Sequence, residues 1–157
     1  MTNPELRSAL PSDEPLLFKL YASTRLEEFA HMPLSAEQLE AILKMQFIAQ
    51  QRGYEAQHPL ADHHIILFED EEIGRILLDR SKDRFHLADI TLLPEFRGRG
   101  IGSLLLKNLQ EEAALAGKSF GLFVFLSNPA KRLYERLGFS EVGANGLYTQ
   151  MLWQPEP

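Results

Sequence analysis

The segment that most restricts what this chain can become is Leu93-Pro94-Glu95-Phe96-Arg97-Gly98-Arg99-Gly100-Ile101-Gly102-Ser103. An extended apolar run, Phe85 to Leu93, leads into it and is stopped by Pro94. Ile101, Leu104, Leu105, Leu109 and Ala113 follow at helical spacing, with Gly117 as the stop. The pattern predicts a strand that passes through a tight glycine turn straight into a helix. At such a helix start the first backbone N–H groups lack internal acceptors, and the helix dipole adds partial positive charge. Glycine admits left-handed φ values and has no Cβ to hold a ligand off the backbone. Together these features make a phosphate cradle, with Arg97 and Arg99 as flanking cations. Two familiar versions of that cradle do not fit. A nucleoside-triphosphate loop ends in Gly-Lys-Ser/Thr, whereas Gly102 is followed by Ser103 and Leu104. The dinucleotide pattern G-x-G-x-x-G needs a third glycine where this chain has Ser103 or Leu105.

The flanking periodicity completes a mixed α/β pattern. Glu5 to Leu10 reads as a first strand, and Ser12 and Asp13 offer oxygens at a helix start. Leu16, Leu17, Leu20, Tyr21 and Thr24 keep helical spacing; after Pro33 and Ser35, Leu39, Ile42, Leu43 and Phe47 mark a second helix, with Gly53 expected to close it. Ile65–Phe68 and Ile73–Leu78 flank an acidic hairpin turn, Glu69-Asp70-Glu71-Glu72. Phe120 to Leu126 alternates little and is expected to be buried on both faces, as a central strand would be. Pro129 opens a short helix carrying Ala130, Leu133, Tyr134 and Leu137, which Gly138 caps. Strands near Phe139–Val142 and Leu147–Trp153 end the order β-α-α-β-β-β-α-β-α-β-β. We expect one domain over residues 1–157 with a core of about 5–153, and a frayed tail from Gln154.

Arg97-x-x-Gly100-x-Gly102 resembles the Gln/Arg-x-x-Gly-x-Gly/Ala signature of the GNAT N-acetyltransferase superfamily. One strand downstream, Asn128-Pro129-Ala130-Lys131-Arg132-Leu133-Tyr134-Glu135-Arg136-Leu137-Gly138-Phe139 is similar to that family's second cofactor segment, N-x-A-x-x-L-Y-x-x-x-G-F. The resemblance implies a mixed sheet of about six to seven strands flanked by about four helices. It further implies acetyl-CoA as cosubstrate and direct transfer of acetyl to an amine. In that reading the amides of Arg97, Gly98, Arg99, Gly100, Ile101, Gly102 and Ser103 hold the coenzyme A pyrophosphate. Backbone groups of Ile90, Thr91 and Leu92, together with Asn128, hold pantetheine, and Tyr134 protonates the leaving thiolate. By itself, Tyr134 also fits a core position on an apolar stripe, and Asn128 also fits an N-cap.

For the general base, His86 occupies the place where some relatives carry a glutamate, and Asp89 is on the same strand. Ideal alternation puts these two side chains on opposite faces, unless a bulge intervenes. The resemblance makes the first two helices a wall of the acceptor cleft, with Glu28, Gln46 and Tyr54 as candidates. Gln46 falls on an otherwise apolar helical face and needs a polar partner, either a substrate or a neighbouring helix. Glu28 suits either a cationic amine or a solvated face.

Composition narrows the rest. With no cysteine the chain has no thiolate to carry an acetyl group and no cysteine-ligated zinc. His58, His63 and His64 lack a metal-binding pattern, so no metal is expected. Net charge is -6, which disfavours nucleic acid and mildly favours a cationic acceptor, whether small amine or protein N-terminus. No apolar run reaches membrane-spanning length, and the N-terminus lacks a secretion signal. A cytoplasmic enzyme is expected, and a homodimer is compatible with the family. A non-catalytic acyl-CoA sensor, or use of a larger acyl-CoA, remains the alternative.

Overall fold

The computed structural model describes residues 2–126 and 128–157. Eleven elements follow in chain order: β1 (Glu5–Ser8), α1 (Glu14–Arg25), α2 (Ala36–Gln57), β2 (Asp62–Phe68), β3 (Glu71–Asp79), β4 (Phe85–Leu92), α3 (Ile101–Leu115), β5 (Phe120–Phe125), α4 (Ala130–Arg136), β6 (Ser140–Asn145) and β7 (Tyr148–Trp153). This is the order expected from periodicity. The strands form one seven-stranded sheet in the order β1-β2-β3-β4-β5-β7-β6. Every neighbouring pair is antiparallel except β4 and β5, which run parallel and are joined by α3.

Local chemistry sets the element ends. Asp13 accepts the Leu10 N–H at 2.7 Å and pairs with Arg7, fixing the entry to α1. Ser35 and Gln38 exchange bonds at 3.1 and 2.9 Å, a capping box that starts α2. Gly117 takes φ 68° and Lys118 N–H reaches back to Ala113 O at 2.9 Å, ending α3 as expected. The β2–β3 turn is tighter than predicted, because only Glu69 and Asp70 adopt positive φ while Glu71 and Glu72 join the strand. Gly53 does not close α2, which continues to Gln57. A glycine inside a helix costs roughly 1 kcal/mol, and the contacts of Gln51, Tyr54 and His58 with the sheet offset it.

The sheet separates two cores. On one face Ile101, Leu105, Leu106 and Leu109 of α3 and Tyr134 of α4 pack on Ile76, Leu87, Leu122 and Met151. On the other, Leu17, Leu20 and Tyr21 of α1 and Leu43 and Phe47 of α2 pack on Ile65 and Leu93. The second cluster draws on β2 and the end of β4 but on no residue of β5, β6 or β7. The expectation that β5 is buried on both faces therefore fails. Phe120, Leu122 and Val124 are buried, whereas Phe123 and Phe125 on the opposite face are 52% and 39% exposed.

One close approach fixes the β3–β4 ladder beside this region. Gly74 is paired with Leu92, and a Cβ there would sit 2.4 Å from Thr91 O. Thr91 O is a backbone atom of the neighbouring strand, so relief requires moving β4. Gly74→Ala is expected to lower stability by about 2–4 kcal/mol, read as a reduced urea midpoint in equilibrium unfolding.

Candidate active site

The site begins where β4 and β5 part company. Their parallel pairing covers only Phe85–Leu87 against Phe120–Leu122, although β4 continues to Leu92 and β5 to Phe125. On its other edge β4 stays paired with β3 through Leu92, and β5 stays paired with β7 through Phe125. The two strands thus diverge, leaving the β5-facing edge of β4 beyond Leu87 without a strand partner among the described residues. Extended strand edges of this kind are templates for another extended chain.

At the wide end of this gap the glycine turn is shaped as the sequence predicts. Gly98 and Gly100 adopt φ of 74° and 80°, and a Cβ at Gly98, Gly100 or Gly102 would meet nothing within 4 Å. The first bond into α3 is Leu104 N–H to Gly100 O at 3.1 Å, and Gly100 offers no side-chain cap. Arg97 N–H bonds Pro94 O, but the six amides from Gly98 to Ser103 have no acceptor among the described residues. Six successive donors at a helix start, in an opening no side chain fills, match the demands of a diphosphate.

The arginines contribute unequally. Arg97 turns back, donating from Nε to Leu92 O at 3.0 Å and from Nη2 to Ser23 Oγ at 3.1 Å. It braces the end of β4 against α1. Arg99 lies over the Phe96 ring at 5.1 Å and stays exposed. Asn128 Oδ1 accepts the Ala130 N–H at 2.9 Å and so caps α4. Tyr134 is 7% exposed, packed edge-on against Phe139 at 5.8 Å. Burial and the nearby Asp89 charge push its hydroxyl up to about 12, so it keeps its proton across the neutral range.

The opposite face of β4 holds the polar chemistry, and a bulge decides what appears there. Leu77 pairs with Asp89 and Leu78 with Leu87, leaving Ala88 as the extra residue in β4. Phe85 and Leu87 point to the α3 core, and so do Ile90 and Leu92 beyond the bulge. His86, Asp89 and Thr91 accordingly share the α2 face, where simple alternation would have separated His86 from Asp89. Asp89 Oδ2 accepts from Arg75 Nε at 2.6 Å, and Thr91 Oγ1 donates to Oδ1 at 3.1 Å. Arg75 is 3% exposed, donates to Gln51 Oε1 at 2.8 Å and lies over the Tyr54 ring at 5.3 Å. Burial, reinforced by Asp89, raises the Tyr54 hydroxyl well above its usual range, so it remains a donor.

His86 stacks on His58 at 4.9 Å and leans on Phe123 at 5.4 Å. Burial, helped by His58, lowers it to about 4, and burial beside Arg75 lowers His63 to about 4 as well. Of the three acceptor-wall candidates, only Tyr54 reaches this face. Glu28 is exposed and pairs with Arg25 at 3.2 Å, as a solvated helix face does. Gln46 is also exposed, and its partner is the Tyr21 hydroxyl at 3.4 Å on the neighbouring helix. Sequence reasoning missed Arg75, Gln51 and Phe123. An arginine within an apolar strand run was the one available signal, since such a charge requires a partner. Among the described residues no group of three or more His, Asp or Glu could hold a metal, and no helix is long and apolar enough to cross a membrane.

These titrations give a pH signature. His63 and His86 have native values near 4 against an ordinary 6.5. Between those limits the unfolded chain takes up protons that the native state refuses, so stability falls as pH drops from about 6.5 to about 4. Below that, Asp13, held at about 2 by Arg7, continues the loss as it is protonated. Urea midpoints measured from pH 7 to 4 should decline, and His86→Gln should flatten the slope by roughly one proton.

Comparison with known proteins agrees with this geometry. The family described as Acetyltransferase (GNAT) domain matches residues 60–141, more than half of the chain. A [ribosomal protein bS18]-alanine N-acetyltransferase of Haemophilus influenzae is 38% identical over 71 residues, 45% of this chain and 49% of that protein. The match thus spans about half of that relative's length. Among solved structures, PaiA N-acetyltransferase of Thermoplasma acidophilum in complex with coenzyme A aligns with a TM-score of 0.70 at 19% identity, over 97% of this chain and 99% of that one. The ribosomal-protein-S18-alanine N-acetyltransferase of Escherichia coli aligns at 0.65 and 19% identity, over 98% and 95%. With the strand order, the divergent pair and the glycine turn all in place, the chain belongs to the GNAT acetyltransferase family.

Proposed function

We propose that this protein is an acetyl-CoA-dependent N-acetyltransferase that acts by direct transfer in a ternary complex, as a single-domain cytoplasmic enzyme. The observation that carries the reading is the row of unpaired amides from Gly98 to Ser103 at the mouth of the β4–β5 gap. The amides fit the pyrophosphate, and the free edge of β4 at Ile90, Thr91 and Leu92 fits the amide-bearing pantetheine arm. Asn128, beside the same gap, is the further pantetheine contact. Coenzyme A in the Thermoplasma relative and the ribosomal substrate named for the Haemophilus relative support the donor and the location. Exposure along the whole edge strand β6 supports pairing of two copies.

Acetyl-CoA supplies an activated acyl carbon and a thiol leaving group. The incoming ammonium first gives up one proton to solvent; the free amine then attacks that carbon, a C–N bond forms, the C–S bond breaks, and nitrogen loses its second proton while sulfur gains one. Tyr134, protonated at neutral pH, is the donor to sulfur. Asp89, anionic and oriented by Arg75 and Thr91, holds the incoming ammonium. His86, unprotonated at pH 7, accepts the proton in transit and passes it to water, since a ring near 4 does not retain it.

Calorimetry with acetyl-CoA and an assay of released CoA over an amine panel test this. Gly100→Val forces a β-branched residue to φ 80° in the cradle and should weaken acetyl-CoA binding at least tenfold. Tyr134→Phe should leave that affinity within about twofold and lower kcat by roughly 10²-fold. Tight binding with no turnover on any amine would identify an acyl-CoA sensor instead, and preference for a larger acyl-CoA would revise the donor.

A further inference from the structure

Most of this sheet is covered, but one apolar area is not. On β5, Phe123 and Phe125 point away from the α3 core and are 52% and 39% exposed, and Tyr148 of β7 is 39% exposed. Tyr148 is the register partner of Phe125, and their rings lie 4.4 Å apart. Phe123 contacts His86, so the aromatic strip runs directly to the polar floor of the candidate active site. Across the cleft Tyr54 of α2 faces the same floor, its ring over the Arg75 guanidinium that holds Asp89. The strip is therefore a wall of the cleft and not a scatter of surface residues.

The charges of the floor restrict the occupant. Asp89 supplies a carboxylate, and among the described residues the cation in contact with it is the buried Arg75, whose Nε is held by Asp89 and Nη1 by Gln51 while Nη2 has no protein partner, with the Tyr54 ring over the guanidinium. His86 presents a neutral ring. The cations that act on His86, Arg84 and Lys82, precede β4 at the end away from Asp89, and the second carboxylate near His86, Asp79, is engaged by Ser81 and His58, which leaves Asp89 as the carboxylate open to an ammonium. A single ammonium next to a flat apolar body satisfies both the floor and the wall.

Building on the acetyltransferase reading, we infer that the acceptor is a primary amine borne on an aromatic or bulky apolar framework, which stacks on Phe123, Phe125 and Tyr148 while its nitrogen meets Asp89. Aromatic stacking and burial of that framework amount to roughly a tenfold to hundredfold preference over a polar amine of similar basicity.

The test uses 2-phenylethylamine, ethanolamine and putrescine as probes on the full chain saturated with coenzyme A. Ligand-observed NMR titration gives each affinity without requiring turnover, and CoA release from acetyl-CoA gives kcat/KM. Binding of 2-phenylethylamine at least tenfold tighter than ethanolamine is expected, with kcat/KM ranked the same way. Phe123 and Phe125 are exposed, so Phe123→Ser and Phe125→Ser should fold, and each should cut the ratio of 2-phenylethylamine to ethanolamine affinity severalfold. Equal or weaker binding of 2-phenylethylamine, or a preference that survives both substitutions, overturns the inference. The parent reading fails separately: preferential binding without turnover of any amine supports this acceptor site while removing the transferase assignment. Turnover favouring ethanolamine or putrescine keeps the transferase and removes this inference.

Discussion

The architecture around the candidate site depends on two parallel strands that stop bonding to each other after three residue pairs. Backbone groups of a central strand are normally satisfied on both edges, and leaving one edge open is costly away from water. The chain tolerates it because each strand remains fully laddered on its other side, β4 to β3 and β5 to β7. The opening is therefore held by its flanks. It places a free strand edge beside the start of α3.

The two ends of that space are organised by different physics. At the α3 end, positive potential comes from unpaired amides and a helix dipole, with glycines keeping side chains away. Arginine side chains are secondary there, since Arg97 is committed to bracing β4 against α1. On the α2 face, Asp89 supplies a carboxylate whose orientation is imposed by a buried guanidinium. In the proposed reaction, a donor rich in phosphate and an acceptor carrying an ammonium would be drawn to opposite sides of the sheet and would meet through the gap.

The bulge at Ala88 links these two arrangements. By inserting one residue it lets Phe85, Leu87, Ile90 and Leu92 all pack on the α3 side while His86, Asp89 and Thr91 all face α2. Without it, one half of β4 would bury its polar side chains in the apolar core. The same displacement explains how a strand can be central to the hydrophobic core and still present a polar floor.

Several features were legible in the amino-acid order because they are local. Glycine spacing dictated a positive-φ turn before a helix, Ser35 marked a helix start, and apolar periodicity set the order of elements along the chain. The helix that carries Tyr134 followed from the same short-range pattern. Other features belong to tertiary structure alone. That His86 and Asp89 share a face depends on a register shift against β3, and that Gln46 bonds Tyr21 depends on how two helices meet. Whether Phe123 and Phe125 are core or cleft wall depends on how far α1 and α2 extend across the sheet. Such outcomes are sums over distant segments. An apolar residue on a strand has the same sequence signature whether a helix covers it or a substrate does.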